Sequence, residues 1–95
     1  MLFALIAHDK PGFLSKRQEV RPEHLKHLET LGDRLILAGP FLDEQGGMTG
    51  SIVVIEAESY DAAKADFDRD PFMLAGLFDS VTIKRWHLGI NNTKK

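Results

Sequence analysis

The chain contains no cysteine, so neither a disulfide nor a thiolate-bound metal can contribute to its stability. No run of lysine or arginine exceeds two residues, and the formal net charge is -2. A nucleic-acid-binding domain of this size shows a basic face, and none is legible here, so no nucleic acid is expected as a partner. The apolar start, "MLFALIA", has no basic leader and is far shorter than the roughly 20 residues a membrane-spanning helix needs. No membrane association is expected, and the cytoplasm is the expected location. Four histidines occur without HxH or HExxH spacing, so no metal site is expected. No serine lies in G-x-S-x-G. Gly46, Gly47 and Gly50 are not followed by the lysine and helix of a phosphate loop.

What is present is ordinary globular material. At 95 residues the chain forms one domain, near the lower end of what stands without staples. Residues 2–8, "LFALIAH", are apolar at odd and even positions alike, which suits a strand buried on both faces. "DKPG" then supplies a turn. Ser15 and Gln18 have the spacing of a capping box, so a helical turn is expected from Ser15. Pro22 suggests a break near Val20 and Arg21, followed by a main helix from Pro22 to Leu31 that Gly32 stops. Strands are expected at 34–42 and 51–57, joined as a hairpin through "DEQGGMTG". Ser59 caps a helix over 60–69 with Tyr60, Ala63 and Phe67 inward. Asp70 and Pro71 open a short helical turn, and the last strand covers about 78–87.

The order is β-α-β-β-α-β, the ferredoxin-like arrangement of the α+β class. It consists of a four-stranded antiparallel sheet with two main helices on one face. The domain is expected over residues 1–88, with 89–95 a loose tail. Two helices cover one sheet face, yet three strands carry apolar residues on both. The uncovered face is therefore expected to pair with a second copy, sheet to sheet, about a twofold axis.

Arg17, Arg21, His24 and Leu28 fall on one helical stripe, with Arg17 included only if the helix runs through Pro22. An imidazole there can move a proton, and an arginine can hold an anionic oxygen. It can equally be a boundary histidine beside snorkelling arginines. His27 lies further round and is read as structural. Asp70 is a helix cap that could also accept a hydrogen bond from an imidazole. Ser51 could present a hydroxyl or amide to a ligand. His8 and Asp9 end a strand, with Asp9 starting the turn.

Taken together, these segments resemble the YciI-like family of the dimeric α/β-barrel superfamily. The markers are R-P-E-H-L at 21–25, A-G-P at 38–40, G-S at 50–51 and D-P-F at 70–72, within "LFALIAHDKPG" through "VTIKRW". The resemblance implies a homodimer and a histidine–aspartate pair at His24 and Asp70. It also implies pocket roles for Arg21, Gly39 and Ser51. Relatives include an isomerase and a dehydrochlorinase, so the implied activity is cofactor-independent proton transfer on a small organic, anionic or aromatic-derived ligand. The alternative is a non-catalytic module that binds a small ligand or serves in dimeric assembly. The segment between the second and third strands is shorter than in many relatives.

Overall fold

The computed structural model describes residues 1–93. The elements are β1 (Leu2–Asp9), α1 (Leu14–Thr30), a 3₁₀ turn (Gly32–Arg34), β2 (Leu35–Leu42), β3 (Met48–Glu56), α2 (Tyr60–Asp68), α3 (Pro71–Leu74) and β4 (Phe78–Trp86). All strand pairs are antiparallel, in the order β2-β3-β1-β4, which is the expected ferredoxin-like sheet. Residues 94 and 95 of the expected tail lie outside the described residues, and 89–92 carry no regular structure.

The pleat sorts the strands into two faces. Phe3 pairs with Ile55, Leu5 with Val53 and Ala7 with Ser51. These residues point to the side where Leu28 and Leu31 follow from α1, and Ala63 and Phe67 from α2, making one core. Both main helices therefore cover the same face. On the other face, Ala4 pairs with Val54 and Lys84, Ile6 with Ile52, Leu2 with Trp86, and Leu37 with Val54. No helix among the described residues covers that side, and Ile6, Leu37 and Trp86 are each more than a third exposed.

Helix α1 is unbroken, contrary to the expected break at Val20 and Arg21. Pro22 sits inside it and faces solvent, so water can satisfy the carbonyl of Gln18 that loses its donor. Arg17 on one side of the proline and His24 and Leu28 on the other are all buried. Packing on both sides holds the axis together where local propensity would end it. The expected capping box at Ser15 is also absent, because the helix begins one residue earlier and Phe13 is its uncapped N-terminal boundary. Here the Phe13 N–H donates to Lys10 and the Arg17 N–H to Phe13, so the turn runs directly into the helix.

Other local signals act where the sequence places them. Gly32 has φ +57 just beyond the end of α1, a left-handed conformation that favours glycine. Ser59 accepts the Ala62 N–H at 3.1 Å. The hairpin closes sooner than expected, so β3 starts at Met48. Asp43 Oδ1 accepts the Gln45 and Gly47 N–H groups, and the backbone of Asp43 bonds to Gly46 and Gly47. Pro40 lies in β2, an edge strand that tolerates a missing donor. Tyr60 is nearly half exposed rather than inward, with its ring edge-on to Phe3.

Candidate functional site

The unbroken α1 places Arg17, Arg21 and His24 along a cavity of about 420 Å³. The opposite wall comes from β2 and β3 through Ala38, Gly39, Pro40, Ser51 and Val53. On the inner face of this wall the side chains of Ala38 and Ser51 are small, while Gly39, paired with Ile52, contributes only backbone.

His24 is 7% exposed. Its Nδ1 lies 2.9 Å from Oδ1 and 2.8 Å from Oδ2 of Asp70. An ionised carboxylate only accepts hydrogen bonds, so Nδ1 carries the proton and donates, while Nε2 of the neutral ring is the acceptor. Among the described residues every fully buried side-chain nitrogen and oxygen has a partner. Nε2 has none and therefore keeps contact with solvent at the cavity wall. Asp70 also accepts the Phe72 N–H at 2.9 Å, which caps α3 with Pro71 in its first turn. Capping and imidazole contact thus coexist on one carboxylate. The Phe72 ring is fully buried and stacks on His24, with centroids 4.0 Å apart and planes 15° from parallel. Two contacts of different kinds hold the imidazole, one at its edge and one at its face.

Arg17 is the larger surprise. It is 2% exposed, among the most buried side chains of the protein. Its Nε donates to Asp9 Oδ2 at 2.6 Å, and its Nη2 donates to Asp9 Oδ1 at 3.0 Å and to Ser51 Oγ at 2.8 Å. The guanidinium carbon sits 4.6 Å from the centre of the Phe72 ring. Such a two-point pairing offsets the desolvation of both charges. Asp9 begins the turn as expected and also anchors Arg17.

The structure distributes the sequence-derived candidates unevenly. His24 and Asp70 meet, and Ser51 lies on the cavity wall bonded to Arg17. Arg21 reaches the cavity edge, is exposed, and has no ion-pair partner among the described residues. Gly39 lines the cavity with its backbone, and a Cβ there would meet nothing within 4 Å. His27 is structural, as read: its Nε2–H donates to the Asp66 carbonyl at 3.0 Å, tying α1 to the end of α2. No spacing signal points to Phe72 or to the pairing of Asp9 with Arg17. The stripe of four- and three-residue steps marked Arg17, but Pro22 obscured its continuity.

A second, more open hollow lies at the far end, bordered by Met1, Arg34, Glu56, Asp66 and Arg69. Its buried Asp66 carboxylate is engaged by Arg34 at 2.8 Å and by Arg69. The hydrogen bond that Arg34 donates to Asp66, with the charge of that carboxylate, holds the guanidinium pKa above its ordinary value. Among the described residues no unpaired buried group points into this hollow.

The fold and the cavity define a class: a ferredoxin-like domain with a carboxylate-held histidine on the helix side of its sheet. Residues 1–87 match the YCII-related domain, and the chain belongs to that family. Protein YciI of Escherichia coli O6:H1 is 44% identical over 92 residues, covering 88% of this chain and 94% of that protein. An uncharacterised protein of Haemophilus influenzae is 37% identical over the same shares. Among solved structures, the 5-chloro-2-hydroxyhydroquinone dehydrochlorinase of Burkholderia phenoliruptrix, in complex with 2,5-dihydroxybenzoquinone, superposes with a TM-score of 0.84 at 37% identity. That match covers 92% of this chain and 94% of the dehydrochlorinase. No described helix is long and apolar enough to cross a membrane.

Proposed function

We propose that the protein is a cofactor-independent acid–base enzyme of the isomerase or dehydrohalogenase type. Its substrate is a small hydroxylated ring or a related anionic molecule. The observation that carries this reading is His24, whose Nδ1 is held by Asp70 while Nε2 keeps solvent contact at the cavity wall. In this reading Nε2 takes a proton from a ring O–H or from a carbon next to a carbonyl. Asp70 fixes the tautomer and stabilises the imidazolium that forms. The proton then returns to another atom in an isomerisation. In the lyase form the electron pair left by the proton forms a new double bond, and chloride departs with the pair of its C–Cl bond.

Arg21 serves as the contact for an anionic oxygen, and Ser51 and the Gly39 backbone line the substrate's other side. The other cavity residue that is charged and without an ion-pair partner among the described residues, Glu29, lies two helical turns away, so an anion is favoured at the Arg21 end. Similarity to a dehydrochlorinase crystallised with a quinone supports the substrate class.

The same reading takes the working form as a homodimer joined through the uncovered sheet face, supported by its exposed apolar residues Ile6, Leu37 and Trp86. It places the enzyme in the cytoplasm, on composition alone.

The test is chloride release from 5-chloro-2-hydroxyhydroquinone by the parent and by a His24→Ala variant. A loss of about 10²–10⁴-fold is expected in the variant. A folded variant working at the parent's rate defeats the proposal. So does a parent that neither turns over nor binds rings of this class.

A further inference from the structure

Ser51 has one side-chain partner among the described residues, and that partner can only donate. Arg17 Nη2 donates to Ser51 Oγ at 2.8 Å, and a guanidinium has no acceptor. The bond therefore occupies a lone pair of the hydroxyl and leaves its proton elsewhere. No carbonyl or carboxylate of the described residues accepts that proton. Ser51 is 3% exposed and borders the cavity, on the inner face of β3 opposite Ala7 and Pro40. Arg17 cannot swing away, because Asp9 grips it through two bonds and Phe72 lies against its guanidinium.

We infer that Arg17 turns the Ser51 hydroxyl proton away from itself and into the cavity, so that the cavity takes a ligand presenting an oxygen acceptor to Ser51 and an acidic proton to His24. The inference rests on the cavity being the substrate site and adds a polarity to it. His24 Nε2 is the committed acceptor of the site, and the Ser51 hydroxyl is a donor polarised by a buried cation. The matching chemical class is an enolisable or hydroxylated cyclic carbonyl. Its proton passes to Nε2, and the electron pair left behind is held on the oxygen that faces Ser51. A hydrogen-bond donor aimed at developing charge stabilises that charge without reorganising. Arg17 touches no substrate in this scheme and acts as a positioning residue through Ser51.

Neutron diffraction from deuterated crystals of the ligand-free protein tests the orientation directly. Deuterium on Ser51 Oγ should point into the cavity, away from Arg17; deuterium directed at a protein acceptor overturns the inference. The second measurement is titration with 2,5-dihydroxybenzoquinone, read by its visible absorbance. Ser51→Ala should weaken binding by about 10- to 100-fold, as for a hydrogen bond to a charged group. Ser51→Thr, which keeps the hydroxyl, should restore most of it.

Arg17→Lys should weaken binding too, and its effect should largely vanish on a Ser51→Ala background. Full affinity in Ser51→Ala, or full additivity of the two changes, overturns the inference. If Arg17→Lys does not fold, the two Ser51 variants decide. A parent that fails to bind the quinone removes that substrate class from the proposed function, and the neutron map still decides the hydroxyl.

Discussion

The Nδ1 of His24 lies 2.8 Å from Oδ2 of Asp70, a residue 46 positions further along the chain that also caps the helix beginning at Pro71. The carboxylate does two things at once, and a single substitution can separate them. An asparagine in place of this aspartate keeps an oxygen for the Phe72 N–H. Its amide N–H₂, if turned to His24, meets Nδ1 as a donor and forces the ring proton onto Nε2. Asp70→Asn is therefore expected to fold normally yet lose about 10²–10⁴-fold in turnover. ¹⁵N NMR of His24 should show the Nδ1–H tautomer in the parent and its loss in the variant. An unchanged tautomer would mean that Asp70 is a cap alone.

Asp9→Ala should be far more damaging to stability than an ordinary strand-end substitution. It leaves the Arg17 guanidinium, 2% exposed, without its counter-charge. Removing one partner of a buried pair costs about 3–5 kcal/mol. Urea denaturation of the two proteins measures the difference, and a loss under about 1 kcal/mol, the value of a surface pair, would contradict the burial.

Gly50→Ala is expected to destabilise by roughly 1–3 kcal/mol, the usual cost of overpacking. A Cβ at Gly50 would meet the Ala7 carbonyl oxygen and the Phe41 ring, the latter at 3.0 Å. Phe41 stacks on His8 across this position, with ring centroids 5.5 Å apart. Thermal unfolding monitored by circular dichroism checks this; an unchanged midpoint would show that the strands part freely there.

Ile6→Lys places a charge at the centre of the sheet face that no described helix covers. If that face joins two copies, sedimentation should show the parent as a dimer and the variant shifted to monomer, with secondary structure unchanged. A parent that sediments as a monomer, or a variant that remains dimeric, rules out this surface as the interface.

Much of this protein is written locally. The apolar patterns of "LFALIAH", "RLILAGPFL" and "SIVVIEA" foretold strands, but not their order: β1 and β3 lie at the sheet centre and β2, equally two-faced, at its edge. Gly32, Ser59 and Asp70–Pro71 end or begin helices through bonds spanning a few residues, which is why their roles can be read directly. The family resemblance paired His24 with Asp70, but spacing could not, because their contact depends on how the second βα unit returns against α1.

Only the tertiary structure decided the continuity of α1 through Pro22. The proline's local preference is overcome by buried Arg17, His24 and Leu28 on both sides of it. The same packing brings Arg17 to Asp9 and Ser51, residues from two different strands. Local bonds close within one turn and leave a mark in sequence spacing. Contacts between β1, α1, β3 and α3 exist only once the sheet has formed, and no spacing records them.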